Sequence, residues 1–100
     1  MLAGQVGFDP AAGKLAAGGA AGEARQAMAN IVAVLADCGA SIADVAKTTI
    51  FLTDLSDFGA VNEAYGEAVG EYRPARSTVQ VAALPAGASV EIEVWAYRPE

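Results

Sequence analysis

Histidine is absent from the 100 residues of this chain. That removes the commonest general base and metal ligand, and with it any serine–histidine or cysteine–histidine nucleophile. Chemistry must then fall to carboxylates, Arg, Tyr, Lys, hydroxyls, backbone groups and water. Cysteine occurs once, at Cys38, which excludes an intrachain disulfide framework and any cysteine metal spacing. Bases are scarce: 6 Lys and Arg stand against 12 Asp and Glu, a net charge of −6. Affinity for nucleic acid comes mostly from Lys and Arg neutralising phosphates, so a nucleic-acid partner is not expected. The same balance disfavours an anionic membrane surface. No apolar run approaches the roughly 20 residues of a spanning helix. Met1 leads straight into LAGQVGF with no basic stretch, so no secretory leader is expected and a cytoplasmic location follows by default.

What is present is apolar bulk. Hydrophobic residues make up 54% of the chain, much of it alanine, more than one modest core of this size calls for. The excess is expected to cover a partner subunit. The length fits a single domain over residues 1–100.

Residues 74–97, PARSTVQVAALPAGASVEIEVWAY, organise the rest. They read as two strands joined by a Pro/Gly turn, because apolar and polar residues alternate strictly. In the first strand Val79 and Val81 point one way, and Arg76, Thr78 and Gln80 the other. In the second, Val90, Ile92, Val94 and Ala96 oppose Glu91, Glu93, Trp95 and Tyr97. The Val/Ile faces fit the underside of helices. Arg76, Glu91, Glu93, Trp95 and Tyr97 then share the other face, which suits a wet pocket or a subunit interface.

Upstream, residues 1–8 read as a strand that begins abruptly, without a cap or turn before it. Residues 9–19 read as a turn-rich loop whose glycines lack phosphate-loop spacing. Residues 23–38 form the strongest helix: Ala24, Met28, Ile31, Leu35 and Cys38 recur at 3/4 spacing. Glu23 sits in its first turn and Gly39 caps its end. Cys38 is read as a small buried packing residue. Residues 41–44, SIAD, carry a capping box, and 45–53 are β-branched and apolar, a central strand. Ser56 or Asp57 caps a second helix over 58–69. Its inner stripe is Phe58, Val61, Tyr65 and Ala68, with Asn62 beside it. Residues 70–73 lead out and Pro74 ends the segment. Strand, helix, strand, helix, strand, strand gives a two-layer α+β domain with both helices on one sheet face.

The segments LAGQVGFDPAAGKL, QAMANIVAVLADCGASIADVAKTTIFLTDLSDFGAVNEAY and PARSTVQVAALPAGASVEIE resemble the YjgF/RidA family of reactive-intermediate deaminases. The resemblance covers essentially the whole chain. It implies a chorismate-mutase-like fold with a mixed sheet, and a homotrimer with active sites in the clefts between subunits. It implies hydrolysis of 2-enamine and 2-imine acids, such as 2-aminoacrylate, to 2-keto acids and ammonia, without a cofactor. By this resemblance Arg76 binds the substrate carboxylate and Glu91 positions the attacking water. Gly4, Asn62 and Thr78 line the substrate pocket, Thr78 where many members have cysteine. Ala3 replaces a frequent serine. The family's first strand, with its pocket tyrosine, has no counterpart here, and the exit from the second helix is shorter than in many members. A non-catalytic trimer binding a keto acid or amino acid in the same cleft is the alternative. The family's older labels, ribonuclease or translation inhibitor, fit poorly with the charge.

The chemistry suits these residue types. A guanidinium fork fixes a planar carboxylate in one orientation. An imine carbon is already electrophilic, so a carboxylate that holds water and relays its proton suffices, and no activated nucleophile is needed.

Overall fold

The computed structural model describes residues 2–72 and 74–97; Met1 and Arg73, named above at the first strand and the helix exit, lie outside them. The order is β1 (Leu2–Val6), β2 (Phe8–Asp9), β3 (Lys14–Leu15), α1 (Gly19–Asp37), β4 (Val45–Leu52), α2 (Phe58–Val69), β5 (Ala75–Gln80) and β6 (Val90–Ala96). Four strands form one mixed sheet in the order β1-β6-β4-β5. β6 is antiparallel to both its neighbours, and β4 runs parallel to β5. β5 and β6 are therefore not a hairpin: the segment between them carries the chain across β4.

The core lies between this sheet and the two helices. α1 contributes Ala24, Ala27, Met28, Ile31 and Leu35, and α2 contributes Val61, Ala64, Tyr65 and Val69. The sheet meets them with Ile50 and Leu52 of β4 and with Val90, Ile92 and Val94 of β6. Each Val, Ile or Leu buried this way stabilises the fold by about 1.5–3 kcal/mol before entropy is counted. At Gly7 the helix rests directly on the chain. A Cβ there would sit 2.3 Å from the backbone oxygen of Glu23.

Several local expectations need correction. α1 begins one turn earlier than its apolar stripe, so Glu23 lies beyond the first turn. It is buried, and its Oε1 accepts a hydrogen bond from the Ser89 amide at 2.8 Å. Cys38 is exposed rather than packed. The helix stops at Asp37, and the chain turns through Gly39 at φ 74°. Gly39 N donates to Ala36 O and Ala40 N to Leu35 O, a Schellman closure that carries Cys38 off the apolar stripe. Ala40 packs against the core instead. The loop over 9–19 contains the β2–β3 hairpin, turned by Asp9, whose Oδ1 accepts from Ala11 N at 2.9 Å. The capping box at Ser41 and Asp44 is present. β4 ends at Leu52, one residue before the expected end. α2 spans the expected residues, but neither Ser56 nor Asp57 caps it through a side chain. Asp54 instead accepts from Ser56 N, closing a 3-10 turn over Leu55–Asp57 that feeds straight into the helix. Among the described residues no helix is long and apolar enough to cross a membrane.

Candidate active site

The cross-strand register decides which side chains can meet. Thr48 of β4 lies between Arg76 and Val94, Ile50 between Thr78 and Ile92, and Leu52 between Gln80 and Val90. Thr48, Ile50, Leu52 and the three β6 residues are all buried beneath the helices. Arg76, Thr78 and Gln80 therefore sit on the helix side. Phe51 lies between Val79 and Glu91, Thr49 between Ser77 and Glu93, and Lys47 between Ala75 and Trp95. These rows form the open face. The alternation within each strand is as expected, but Arg76 and Glu91 do not share a face. They lie on opposite sides of the sheet.

On the helix side, Arg76 is held by α2. Its Nη1 donates to Asn62 Oδ1. Its Cζ lies over the Phe58 ring at 5.4 Å and over the Tyr65 ring at 5.5 Å. Phe58, Asn62 and Tyr65 follow one another at i, i+4 and i+7, so one stripe of the helix carries all three. Tyr65 is fixed from behind, since its hydroxyl shares a 2.7 Å hydrogen bond with the buried Thr48 hydroxyl. Gln80, farther along β5, accepts from Leu55 N at 2.8 Å and so ties the strand to the entry of α2. Among the described residues Arg76 has no carboxylate partner; the ion pair seen is Arg25–Glu67 on the helix surface, at 3.6 Å. Arg76 opens onto a cleft of about 360 Å³ lined also by Asn62, Tyr65, Gly66, Val69, Tyr72 and Pro74. Thr78 faces the same side two residues on. Its buried Oγ1 has no hydrogen-bond partner among the described residues.

On the open face, Glu91 stands beside Gly4. A Cβ at Gly4 would lie 2.6 Å from Glu91 Oε2, so the space taken by the carboxylate is the space a side chain would need. The side chain of Ala3, the other family-matched position on β1, lies outside the described residues. This face is uncovered: Val79, across Phe51 in the same row, is 42% exposed, the next row holds Thr49 and Glu93, and Trp95 two rows on is 49% exposed. Of the expected site residues, the fold thus brings Arg76 and Asn62 together and, separately, Glu91 and Gly4. Phe58, Tyr65 and Thr48 were not expected at the site. The spacing of Phe58, Asn62 and Tyr65 was a usable signal, but Phe58 and Tyr65 read as core. Among the described residues no three His, Cys, Asp or Glu side chains group closely enough to hold a metal ion.

Residues 1–98 match the family described as endoribonuclease L-PSP. The chain belongs to that family, known also as YjgF/RidA. Among its relatives is the Homo sapiens protein named 2-iminobutanoate/2-iminopropanoate deaminase, 46% identical over 92% of this chain and 67% of that one. The crystal structure of RidA from an Antarctic Psychrobacter superposes with a TM-score of 0.91 at 45% identity, covering 97% of this chain and 78% of that one. The E. coli TdcF structure with bound serine gives a TM-score of 0.88 at 37% identity, with the same coverage of each chain. The mixed sheet with two helices on one side is thus the YjgF/RidA fold.

Proposed function

We propose that the chain is a hydrolytic deaminase of 2-imino acids and their 2-enamine forms, 2-aminoacrylate among them. The observation that carries this reading is Arg76: a guanidinium at the mouth of a cleft, held by an amide and two rings and not neutralised by a carboxylate. Such a group is a receptor for a planar anion. The name shared by several curated relatives at 46–48% identity supports the same chemistry.

In the reaction, Arg76 binds the substrate carboxylate and Asn62 and Thr78 line the pocket beside it. Water adds to the electrophilic C2 of the protonated imine. Glu91 holds that water, takes one of its protons as the C–O bond forms, and returns it to the nitrogen. The C–N bond then breaks as the adduct's hydroxyl gives its proton to Glu91, which passes it to the departing ammonia, so the 2-keto acid and ammonium are released. Gly4 keeps the room in which Glu91 works. Since Arg76 and Glu91 lie on opposite faces of one sheet, the site is completed between copies of the chain. A homotrimer packed through the open face would do this, and the exposed Val79 and Trp95 on that face support such packing. The separation of Glu91 from Arg76 within one chain also favours a second reading, in which the cleft holds a keto acid or amino acid without turnover.

The test is keto-acid and ammonia release from 2-iminopropanoate generated in place, for wild type and Arg76→Ala, with molecular mass measured alongside. The expected outcome is accelerated release by a trimer, with kcat/KM lowered about 100-fold or more in the variant, the scale of a lost pair of charge-assisted hydrogen bonds. A trimer that binds 2-oxobutanoate yet leaves the spontaneous rate unchanged would select the binding reading.

A further inference from the structure

We infer that Phe58 and Tyr65 are positioning residues for Arg76, holding its guanidinium at the cleft through their ring faces. The inference rests on the reading of Arg76 as the carboxylate anchor. An arginine side chain is long, and fixing it costs rotamer entropy that weakens binding unless the protein has already ordered it. A carboxylate partner would order it, but would also occupy the donors that a substrate carboxylate needs. Here the partners are of another kind. Asn62 takes one of the five N–H donors and carries no charge. The two rings attract the cation and use no donor at all.

The burial pattern fits this role. Phe58 is 40% exposed at the first position of α2, outside the buried core. Tyr65 is only 6% exposed and is pinned by Thr48. One ring is therefore a fixed floor. The other is half exposed beside the guanidinium and can be altered without opening the core. Removing the Phe58 ring is expected to loosen the anchor while leaving water and Glu91 untouched. The effect should appear in substrate affinity and not in turnover of bound substrate.

The experiment compares Phe58→Leu, Phe58→Tyr and Arg76→Ala by kinetics on 2-iminobutanoate and by ¹⁵N-edited NMR of the arginine Nε–H resonances. Phe58→Leu is expected to raise KM about two- to fivefold, the scale of one exposed cation–ring contact, with kcat within about twofold of wild type. It should also shift the Arg76 Nε–H signal by removing the Phe58 share of its ring-current displacement, the signal being assigned by its loss in Arg76→Ala. Phe58→Tyr should restore both. An unmoved Arg76 signal with wild-type KM in Phe58→Leu overturns the inference, and the anchor reading survives if Arg76→Ala still raises KM. Wild-type KM in Arg76→Ala refutes the anchor reading and takes this inference with it.

Discussion

Arg76 and Glu91 are separated by a single strand, yet the protein holds them in opposite ways. Arg76 is held by addition. A helix stripe, two rings, an amide and a buried Tyr65–Thr48 hydrogen bond converge on it from the closed side of the sheet. Glu91 is held by subtraction. Gly4 withholds a side chain, and the carboxylate stands on the open face, where Val79 and Trp95 are exposed. On the proposed reading the braced half is finished within one chain, and the other half is completed by a second copy. The proposed reaction assigns binding and chemistry to different sides of the sheet, so substitutions on the two sides should report different kinetic constants.

The strongest way to break that contrast is Glu91→Gln. A general base typically contributes 10²–10⁴ in rate, so kcat should fall at least about 100-fold while KM for the imino acid changes little. A large rise in KM instead would mean that the open-face carboxylate also binds, and the division of labour would dissolve. Gly4→Ala sharpens the same point with a smaller effect. The atoms nearest the new Cβ all belong to the movable Glu91 side chain, so the melting temperature should hardly change. The displaced carboxylate should cost about tenfold in kcat, the order expected of a misplacement of an ångström or less. Equal losses in stability and activity would show that Gly4 serves the fold rather than the site.

The smallest effect belongs to the braced side. The Ser56 backbone N–H, and then its hydroxyl, hold the Asp54 carboxyl below its ordinary value of 3.8. A carboxyl lowered on folding stabilises the folded state above that value and loses the contribution as pH falls through the folded one. Asp54→Asn should therefore melt slightly below wild type at neutral pH, and the two curves should converge below pH 3.8. Because Asp54 is fully exposed the gap will be narrow. Parallel curves from pH 2 to 7 would remove Asp54 from the supports of the α2 entry.

How much of this was legible in the sequence depended on how far apart the deciding residues lie. The bounds of α2, the Ser41–Asp44 capping box and the alternation along β6 all follow from residues a few positions apart, and all were read correctly. The faces of β5 were not. Whether Val79 or Arg76 meets the helices depends on pairing with β4, which sits between β5 and β6, and no local pattern encodes that parity. The apolar residue proved to be the exposed one because β5 is an edge strand facing an uncovered surface. Cys38 failed for a related reason. Its spacing extends the α1 stripe, but the Gly39 turn ends the helix before that spacing can act. At the candidate site, residue types pointed to Arg76 and Glu91 through the family resemblance, while the cradle of Phe58 and Tyr65 was hidden among expected core residues.

The place of β6 has a consequence for the order in which the chain can assemble. β6, which follows every other described strand in sequence, is interior, with β1 on one side and β4 on the other. The carboxylate of Glu23 likewise waits 66 residues for the Ser89 amide. During translation α1, β4 and α2 emerge before the β6 part of the surface that covers their apolar faces. The sheet closes in a single late event, when Val90, Ile92 and Val94 arrive together. Pairing β6 with β1 then closes a loop over most of the described residues, a non-local contact of the kind that slows folding and leaves apolar surface open until it forms.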